Sequence, residues 1–555
     1  MSINTFFANF GYLANAPNGL KKMRELILRL AVQGKLVPQD PSDEPASKLL
    51  KRVRTEKLRL MKNKKIKIVD ILTSNRLEDA MAPKGWCVEL LGNIAQPITK
   101  GATPTTYGFL FQSEGIRFVK VENVKLGRIV HESITSFISE EANKSQFRSQ
   151  LQAGDILFSI AGTIGETCVV RETDLPANTN QALAIIRGTQ IAFLHNFLKI
   201  QLDSFVANAI KDRARGGAMN NVSLGDLKEL MVFLPPLAEQ HRIVAKVDQL
   251  MALCDELELR QQKKKQKLVN LNNAALDRLI TAREPDGFTN AWRLIRDNVD
   301  FLYTTPETIT KLRQAILQIA VQGKLVPQNP NDEPASVLLA KIKAEKERLV
   351  KEKKIKKIEP LPPISPDVTP YELPKGWQWV RFGAVTICRD GERIPVSQEE
   401  REKRRGPYDY YGASGVIDNI NDYLFDKSLL LIGEDGANLI NRSTPIAFMA
   451  HGKYWVNNHA HVIDGISEEF LRYIELFINA IDLKPFITGT AQPKMNQTKM
   501  NSIVVAIPPK SEQHRIVTKV DQLMKLCDEL DAKLIKSQTK SEKLVEAAVK
   551  AIDAN

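Results

Sequence analysis

Ala31-Val32-Gln33-Gly34-Lys35-Leu36-Val37-Pro38-Gln39 stands a second time, letter for letter, at 320–328. Glu239-Gln240-His241-Arg242-Ile243-Val244 returns at 512–517, and Lys246 to Met251 returns at 519–524. Between these stretches lie two segments, 83–234 and 374–507, whose letters barely agree. Both open on Pro-Lys-Gly-Trp and close on a double proline (235–236 and 508–509). The chain therefore runs arm, insert, helix, then arm, insert, helix again. Repeats of this kind decide an architecture before any residue-level reading does. A frame held constant around diverged inserts predicts one scaffold carrying two different readers.

The frame is helical. From 237 to 283, a run of 47 residues, there is neither Pro nor Gly. Ile243, Val247, Leu250, Cys254 and Leu257 alternate spacings of four and three, the a/d pattern of a coiled-coil seam. The copy keeps it at Ile516, Val520, Leu523, Cys527, Leu530 and Leu534, and the pattern is expected to continue through Leu544 and Ala548. Two equivalent stripes are most simply buried against each other in antiparallel helices, at roughly 1.5–3 kcal/mol per buried aliphatic side chain. Two separate helical hairpins, each closed by its own arm, are the alternative. The arms, 1–82 and the equivalent part of 235–373, each read as a short helix, a Gly-Lys-Leu-Val-Pro-Gln turn and a basic helix. Each basic helix starts at Asp-Glu-Pro-Ala-Ser (43–47 and 332–336). Its lysines form a solvated face or a surface for phosphate or protein.

The inserts share an element order. In the first, strands are expected at 155–160, 167–170 and 182–187, a helix near 191–210, a polar loop at 213–221 and a strand at 230–234. The second offers strands at 429–433, 445–449 and 460–464, a helix near 467–482, a loop at 488–496 and a strand at 503–507. They read as two copies of one α/β domain with rewritten loops, where recognition generally resides. The expected fold class is α/β, with two such domains separated by long antiparallel coiled-coil helices in a pseudo-two-fold tandem repeat. The five segments are 1–82, 83–234, 235–373, 374–507 and 508–555.

Composition narrows the function. A net charge of +13 over 555 residues favours a polyanionic partner. Five scattered cysteines without a Cys-x-x-Cys pair fit reduced thiols and neither a disulfide frame nor a zinc site. No apolar run reaches the 18 or so residues of a membrane span and no signal-peptide pattern opens the chain, so a cytoplasmic protein is expected. No enzyme constellation is found. Gly34-Lys35 and Gly323-Lys324 lack the upstream glycine of a phosphate-binding loop, and no Gly-x-Gly-x-x-Gly or Asn/Asp-Pro-Pro-aromatic motif occurs. Asp43, Glu44 and Lys48 suggest a nuclease metal site only until the copy is read, where Val337 and Leu338 break the pattern. His451, His459 and His461 suggest a strand-end recognition or packing role in place of metal ligation, and no metal site is expected.

The layout resembles a known family. Leu-Pro-Pro-Leu-Ala-Glu-Gln-His-Arg-Ile-Val at 234–244, Val-Asn-Asn-His-Ala-His-Val at 456–462, Gly-Lys-Leu-Val-Pro-Gln and Asp-Glu-Pro-Ala-Ser are similar to motifs of the specificity subunit of type I restriction–modification systems, and look like its IB branch. The resemblance implies a non-catalytic adaptor whose two target-recognition domains each read one half of a split, asymmetric site on double-stranded DNA, with the long helices setting the gap. It also implies two methyltransferase subunits docked on the frame, joined by motor-nuclease subunits. S-adenosylmethionine, Mg and ATP would sit on those partners and none on this chain. A DNA-binding protein of another defence or regulatory system, acting without methyltransferase partners, is the alternative; an enzyme of unrecognised chemistry is a remoter one.

Base reading needs Arg or Lys for guanine and Asn or Gln for adenine, alongside phosphate contacts that position the protein. Candidates in the first insert are Lys100, Thr103, Thr105, Arg117, Lys120, Arg213, Arg215, Asn220 and Asn221. In the second they are Arg389, Arg393, Arg404, Arg405, Tyr410, Tyr411, His459, Gln492, Lys494 and Asn496. Glu239, Gln240, His241 and Arg242, with Glu512, Gln513, His514 and Arg515, are candidates for docking a partner; the competing reading has them cap the helices and fix the domain-to-helix angle.

Overall fold

A computed structural model describes residues 10–62, 82–95, 97–187, 194–213, 222–356, 363–489 and 492–553. The chain forms two compact units, Met1–Lys263 with Gln538–Asn555, and Lys264–Ser537.

In the first unit the insert is closed by its own ends: Cys87–Leu90 pairs antiparallel with Met231–Leu234, Cys87 opposite Leu234. Inside lies an antiparallel sheet in the order Ile98–Lys100, Leu183–Ile186, Ile156–Ser159, Thr167–Val169. Leu183–Ile186 and Ile156–Ser159 are buried on both faces, which explains their continuous apolar letters. The helix His195–Arg213 follows. The second unit repeats this plan. Gln378–Arg381 closes against Val504–Ile507, and the sheet runs Ile387–Cys388, Ala460–Asp464, Leu429–Gly433, Ala447–Ala450, followed by the helix Glu468–Ala480.

The domains differ in a second sheet. In the first unit it has three strands, Phe137–Ile138, Ile116–Val119 and Ala177–Thr179. In the second it has four: Gly415–Ile420, Tyr408–Gly412, Lys453–Val456 and Phe425–Asp426. Each contains one parallel pair.

The long helices are Leu237–Thr281 and Lys510–Asp553. In each unit the head of one lies with the tail of the other, so they run antiparallel. Ile243, Val247, Leu250 and Cys254 share a core with Ile552 of the other helix and with Met23, Leu26, Ile27 and Leu30 of the arm helix Gly19–Val32. In the second unit Ile516, Val520, Leu523 and Cys527 share one with Leu276, Leu279 and the arm helix Pro306–Val321. Both sequence readings thus contribute: each helix head is covered by its own arm and by the tail of the other helix. Ion pairs repeat the arrangement. Arg24 binds Asp255 and Glu258 as Arg313 binds Asp528 and Asp531. Lys22 reaches Glu546 where Lys311 reaches Asn273. The seam does not continue through Leu544, which is exposed, or Ala548. It passes to Val545, which is buried, and Ile552. The step from Leu534 to Val545 is 11 residues, and an 11-residue step corrects the drift between 3.6 residues per turn and a strict heptad.

The repeated motifs converge on one spot per unit. Trp86 donates from Nε1 to Glu239 at 2.9 Å, and Trp377 to Glu512 at 2.9 Å. Arg242 grips Asp43 and Arg515 grips Asp332, each at 2.6 Å. The Ala46 N–H donates to the Gly85 carbonyl, and Ala335 to Gly376. Gly34 and Gly323 have φ of +66° and +72°, and a Cβ on either would lie 3.1 Å from the tryptophan ring. Their conservation within the repeat is therefore steric and owes nothing to phosphate binding. Lys57 donates to the carbonyls of Gly92 and Asn93, and Lys346 to those of Gly383, Ala384 and Thr386. One lysine of each basic helix thus caps a short helix of the insert.

Candidate nucleic-acid interface

In each domain a loop following the first sheet strand meets the turn that precedes the strand buried at the sheet centre. In the first, Lys100 is exposed at the end of Ile98–Lys100, and the chain then crosses beneath Thr179 and Asn180, where a Cβ on Gly101 would lie 2.0 Å from the Thr179 carbonyl oxygen. Thr103 donates to Gln181 at 2.5 Å, and Thr105 is exposed in the turn Pro104–Tyr107. Lys120 lies 5.2 Å from the centroid of the Phe111 ring. Arg117 is differently used: its guanidinium reaches the carbonyls of Thr173, Asp174 and Leu175, each at 3.4 Å, and braces that turn. Arg215, Asn220 and Asn221 lie outside the described residues, as does the side chain of Arg213. Sequence reasoning passed over Tyr107, Leu110 and Phe111, which are exposed in the same loop, Phe111 against Lys120. Their signal was three apolar residues in a loop flanked by Gly and Pro.

In the second domain the loop before the last strand folds across the sheet end. Lys494 bridges to Asp435 and Thr488, and the Met495 N–H donates to the Glu434 carbonyl. This gathers His459, Lys494, exposed Gln492 and Asn496 at one edge. His459 Nδ1 faces the Asp435 carboxylate at 2.9 Å, and Lys494 lies 3.1 Å from Glu434. Asn496 caps the helix Gln497–Asn501 by accepting from the Lys499 N–H. Arg405 is exposed near Asp418. Other candidates are committed elsewhere. Arg389 holds Glu392 and Asp464; Arg404 lies over the Trp455 ring and reaches Asn421. Tyr411 is half-buried between Phe448 and Tyr454. Tyr410 is a core residue, 1 % exposed, with its hydroxyl donating to the Val396 carbonyl, so its side chain is out of DNA's reach.

Arg393 is half-buried and turned inward, bridging Asp390 and Glu434 and donating to the Ala460 carbonyl. Asp390, Glu434 and His461 offer ligand atoms within 4.8 Å of one another, a possible metal group. Hydrogen bonding argues against an ion there. His461 donates from Nε2 to the Met495 carbonyl at 2.8 Å while Nδ1 faces Asp390 at 2.6 Å. Both ring nitrogens are thus already engaged by protein groups. Burial opposes ionisation of Asp390, but the His461 bond and charge, the Val462 N–H and Arg393 outweigh it and hold the carboxyl below its ordinary value. Glu434 is likewise lowered, burial being outweighed by Arg393, His461 and Lys494. The two carboxylates are already engaged by Arg393, Lys494 and His461.

The Glu-Gln-His-Arg motifs are mostly turned inward. Glu239, Gln240, Glu512 and Gln513 are all buried. Gln240 and Gln513 donate to the carbonyls of Pro235 and Pro508, which fixes the double-proline turns, while the glutamates and arginines hold the tryptophans and aspartates described above. Burial pushes both glutamates above their ordinary value despite the indole bonds. His241 and His514 alone of these eight are well exposed, His514 beside Glu469 at 2.5 Å. Among the described residues no helix is long and apolar enough to cross a membrane.

Two α/β domains with diverged sheet-end loops on one duplicated frame are the features of a two-site DNA-specificity protein, and comparison with known proteins agrees. The family model for the type I restriction modification DNA specificity domain matches twice, at 83–268 and 374–538. The EcoAI specificity subunit of Escherichia coli is 31% identical, over 92% of this chain and 90% of its own length. The EcoEI specificity subunit of the same species is 30% identical, over 94% and 91%. The chain belongs to the family of type I restriction enzyme specificity subunits. A chain from a solved type I R-M system, 16% identical, covers 85% of this one and 98% of itself with a TM-score of 0.51, which shows the shared fold.

Proposed function

We propose that each recognition domain reads one half of a bipartite DNA target through the edge just described, the first around Lys100, Thr103 and Lys120, the second around His459, Gln492, Lys494 and Asn496. The observation that carries this is local: the same sheet end bears different side chains in the two units while the indole–carboxylate and guanidinium–aspartate latches behind it are the same. The long helices set the distance between half-sites. The frame docks two methyltransferase subunits, with His241 and His514 as the accessible members of the repeated motif, and motor-nuclease subunits complete the complex. The chain itself is a cytoplasmic, non-catalytic adaptor. S-adenosylmethionine, Mg and ATP belong to the partners.

Methylome sequencing with and without the gene tests the reading. Loss of one bipartite adenine-methylation motif is expected on deletion, and an unchanged methylome would overturn it.

A further inference from the structure

Midway along each long helix lies a face that neither the seam nor the latches require. Arg260, Lys263 and Lys267 follow at spacings of three and four residues. The offset of 273 that carries Glu239 onto Glu512 carries these three onto Lys533, Lys536 and Lys540, all basic. At 100° per residue they point away from the buried line through Cys254 and Asn272, and in the copy away from Cys527 and Val545. All six side chains are exposed. Lys264 and Lys265 add two more exposed cations to the first helix. No carboxylate occurs between Glu258 and Asp277, or between Asp531 and Glu542. Arg260 meets Glu256 and Lys533 meets Asp300 in exposed pairs. Among the described residues Lys263, Lys264, Lys265, Lys267, Lys536 and Lys540 have neither ion pair nor hydrogen bond.

Like charges at these spacings repel and destabilise a helix. A merely solvated face would be served as well by mixed charge, yet both copies keep three cations at matching positions. The partner must be anionic, and it must look alike to both helices. Lysine is depleted at protein–protein contacts, where aromatic residues and Met are enriched, and these positions supply no aromatic anchor. Phosphodiester backbone suits them better, because its charge is the same whatever the sequence. Each set of three rises over about 10 Å along its helix, enough to follow successive phosphates. Resting on the reading of the chain as a DNA-specificity subunit, we propose that these two faces hold the phosphate backbone of the untouched spacer between the half-sites.

The full chain in complex with its methyltransferase subunits, titrated with a duplex containing its target over a range of salt, tests this. Lys263→Gln, Lys267→Gln, Lys536→Gln and Lys540→Gln together are expected to flatten the slope of log K against log salt by about 0.9 for each phosphate no longer neutralised, about 3.6 in all. The weakening should not depend on spacer sequence, the methylated motif should stay the same, and the four Lys→Arg changes should retain the slope. An unchanged slope would overturn the proposal, as would dissociation of methyltransferase from the purified complex at unchanged slope, which would assign the faces to protein docking. A wild-type complex without any preferred target would remove the DNA reading itself, a result distinct from either.

Discussion

Glu512 carries the heaviest duty in the second latch, and its replacement gives the most informative measurement. It is 1 % exposed; its Oε2 accepts from Trp377 Nε1 at 2.9 Å and its Oε1 from Gln328 Nε2 at 2.7 Å. Glu512→Ala leaves the Trp377 indole without an acceptor, whereas Gln328 keeps the Gly323 carbonyl at 3.1 Å. A buried donor so orphaned costs about 1–3 kcal/mol. Trp377 is buried away from water, whereas Gln328 is exposed to it, so a total of about 3 kcal/mol, nearly all of it from the indole, is expected. At about 2–4 °C per kcal/mol for a domain of this size, the transition of the second unit should fall by about 6–12 °C. Glu512→Gln separates the hydrogen bond from the charge. Burial raises this carboxyl above its ordinary value of 4.5. The unfolded chain therefore releases the proton first as pH rises, and wild-type stability falls across the window between the ordinary and the raised value. The Gln variant lacks that slope. Calorimetry of wild type and both variants at acid and neutral pH reads all three quantities. An alanine variant melting within 1 °C of wild type, or a Gln variant with the wild-type pH dependence, would refute the reasoning.

Arg393→Ala should destabilise the second unit by about 1.5–3 kcal/mol, because Asp390 and Glu434 each lose one charged partner while keeping His461 and Lys494; loss of the second half-site at unchanged urea stability would instead make Arg393 a DNA contact. Burial lowers Lys346 to about 8, so the folded chain sheds that proton before the unfolded one, and stability gains a contribution as pH rises from about 8 toward the ordinary lysine value. Lys346→Met should abolish that rise in thermal melts, and its persistence would place the cause elsewhere. Removing seven residues within 257–276, and the matching seven within 530–549, shortens each helix by about 10 Å, or about three base pairs. The methylome should show both half-sites with a correspondingly shorter gap, and an unaltered gap would reject the helices as a ruler. Exchanging 83–234 for another domain of the family should change one half of the motif; a change in both would break the assignment of one domain to one half-site.

What was legible in the sequence followed from periodicity and repetition. The seam through Cys254 and Cys527 and the central strands of both inserts were readable because burial on a fixed period leaves its mark in the letters. Leu544 was misplaced because the period changes where the helix tails begin, and the letters Lys-Leu-Val at 543–545 fit either phase. The second sheets escaped because their strands are short or polar, as in Gly415-Val416-Ile417-Asp418-Asn419-Ile420. His459 and Lys494, chosen for their place in polar turns and loops, do lie together at one sheet end. Tyr410, Arg117 and Arg393 were not told apart from them, since an aromatic or cationic letter does not say whether it faces a core, a carbonyl or solvent. Arg401 shows how close the cases lie: it stacks 4.8 Å over the Tyr410 ring and spends its charge on Asp418. The exposed Leu110 failed in the opposite sense, since an apolar letter is ordinarily read as core.

The repeated motifs acquire a mechanical meaning once their partners are known. A recognition domain could be attached to a helix by apolar packing alone, and that would bury area without fixing an angle. Here the attachment is made of directional groups: an indole N–H on a carboxylate, a guanidinium on an aspartate, an ammonium on three carbonyls. Hydrogen bonds weaken steeply when misaligned, so this set resists rotation where a greasy contact would permit it. Base-edge recognition tolerates little rotation, because paired donors and acceptors must meet in one plane. The latch can therefore stay constant while the reading edge varies, and a chimera should work only when its junctions preserve it. An insert exchanged with Trp86 mutated to Phe should fold, since the ring remains, yet lose discrimination at its half-site. Discrimination equal to that of the Trp86 chimera would mean that packing alone sets the angle.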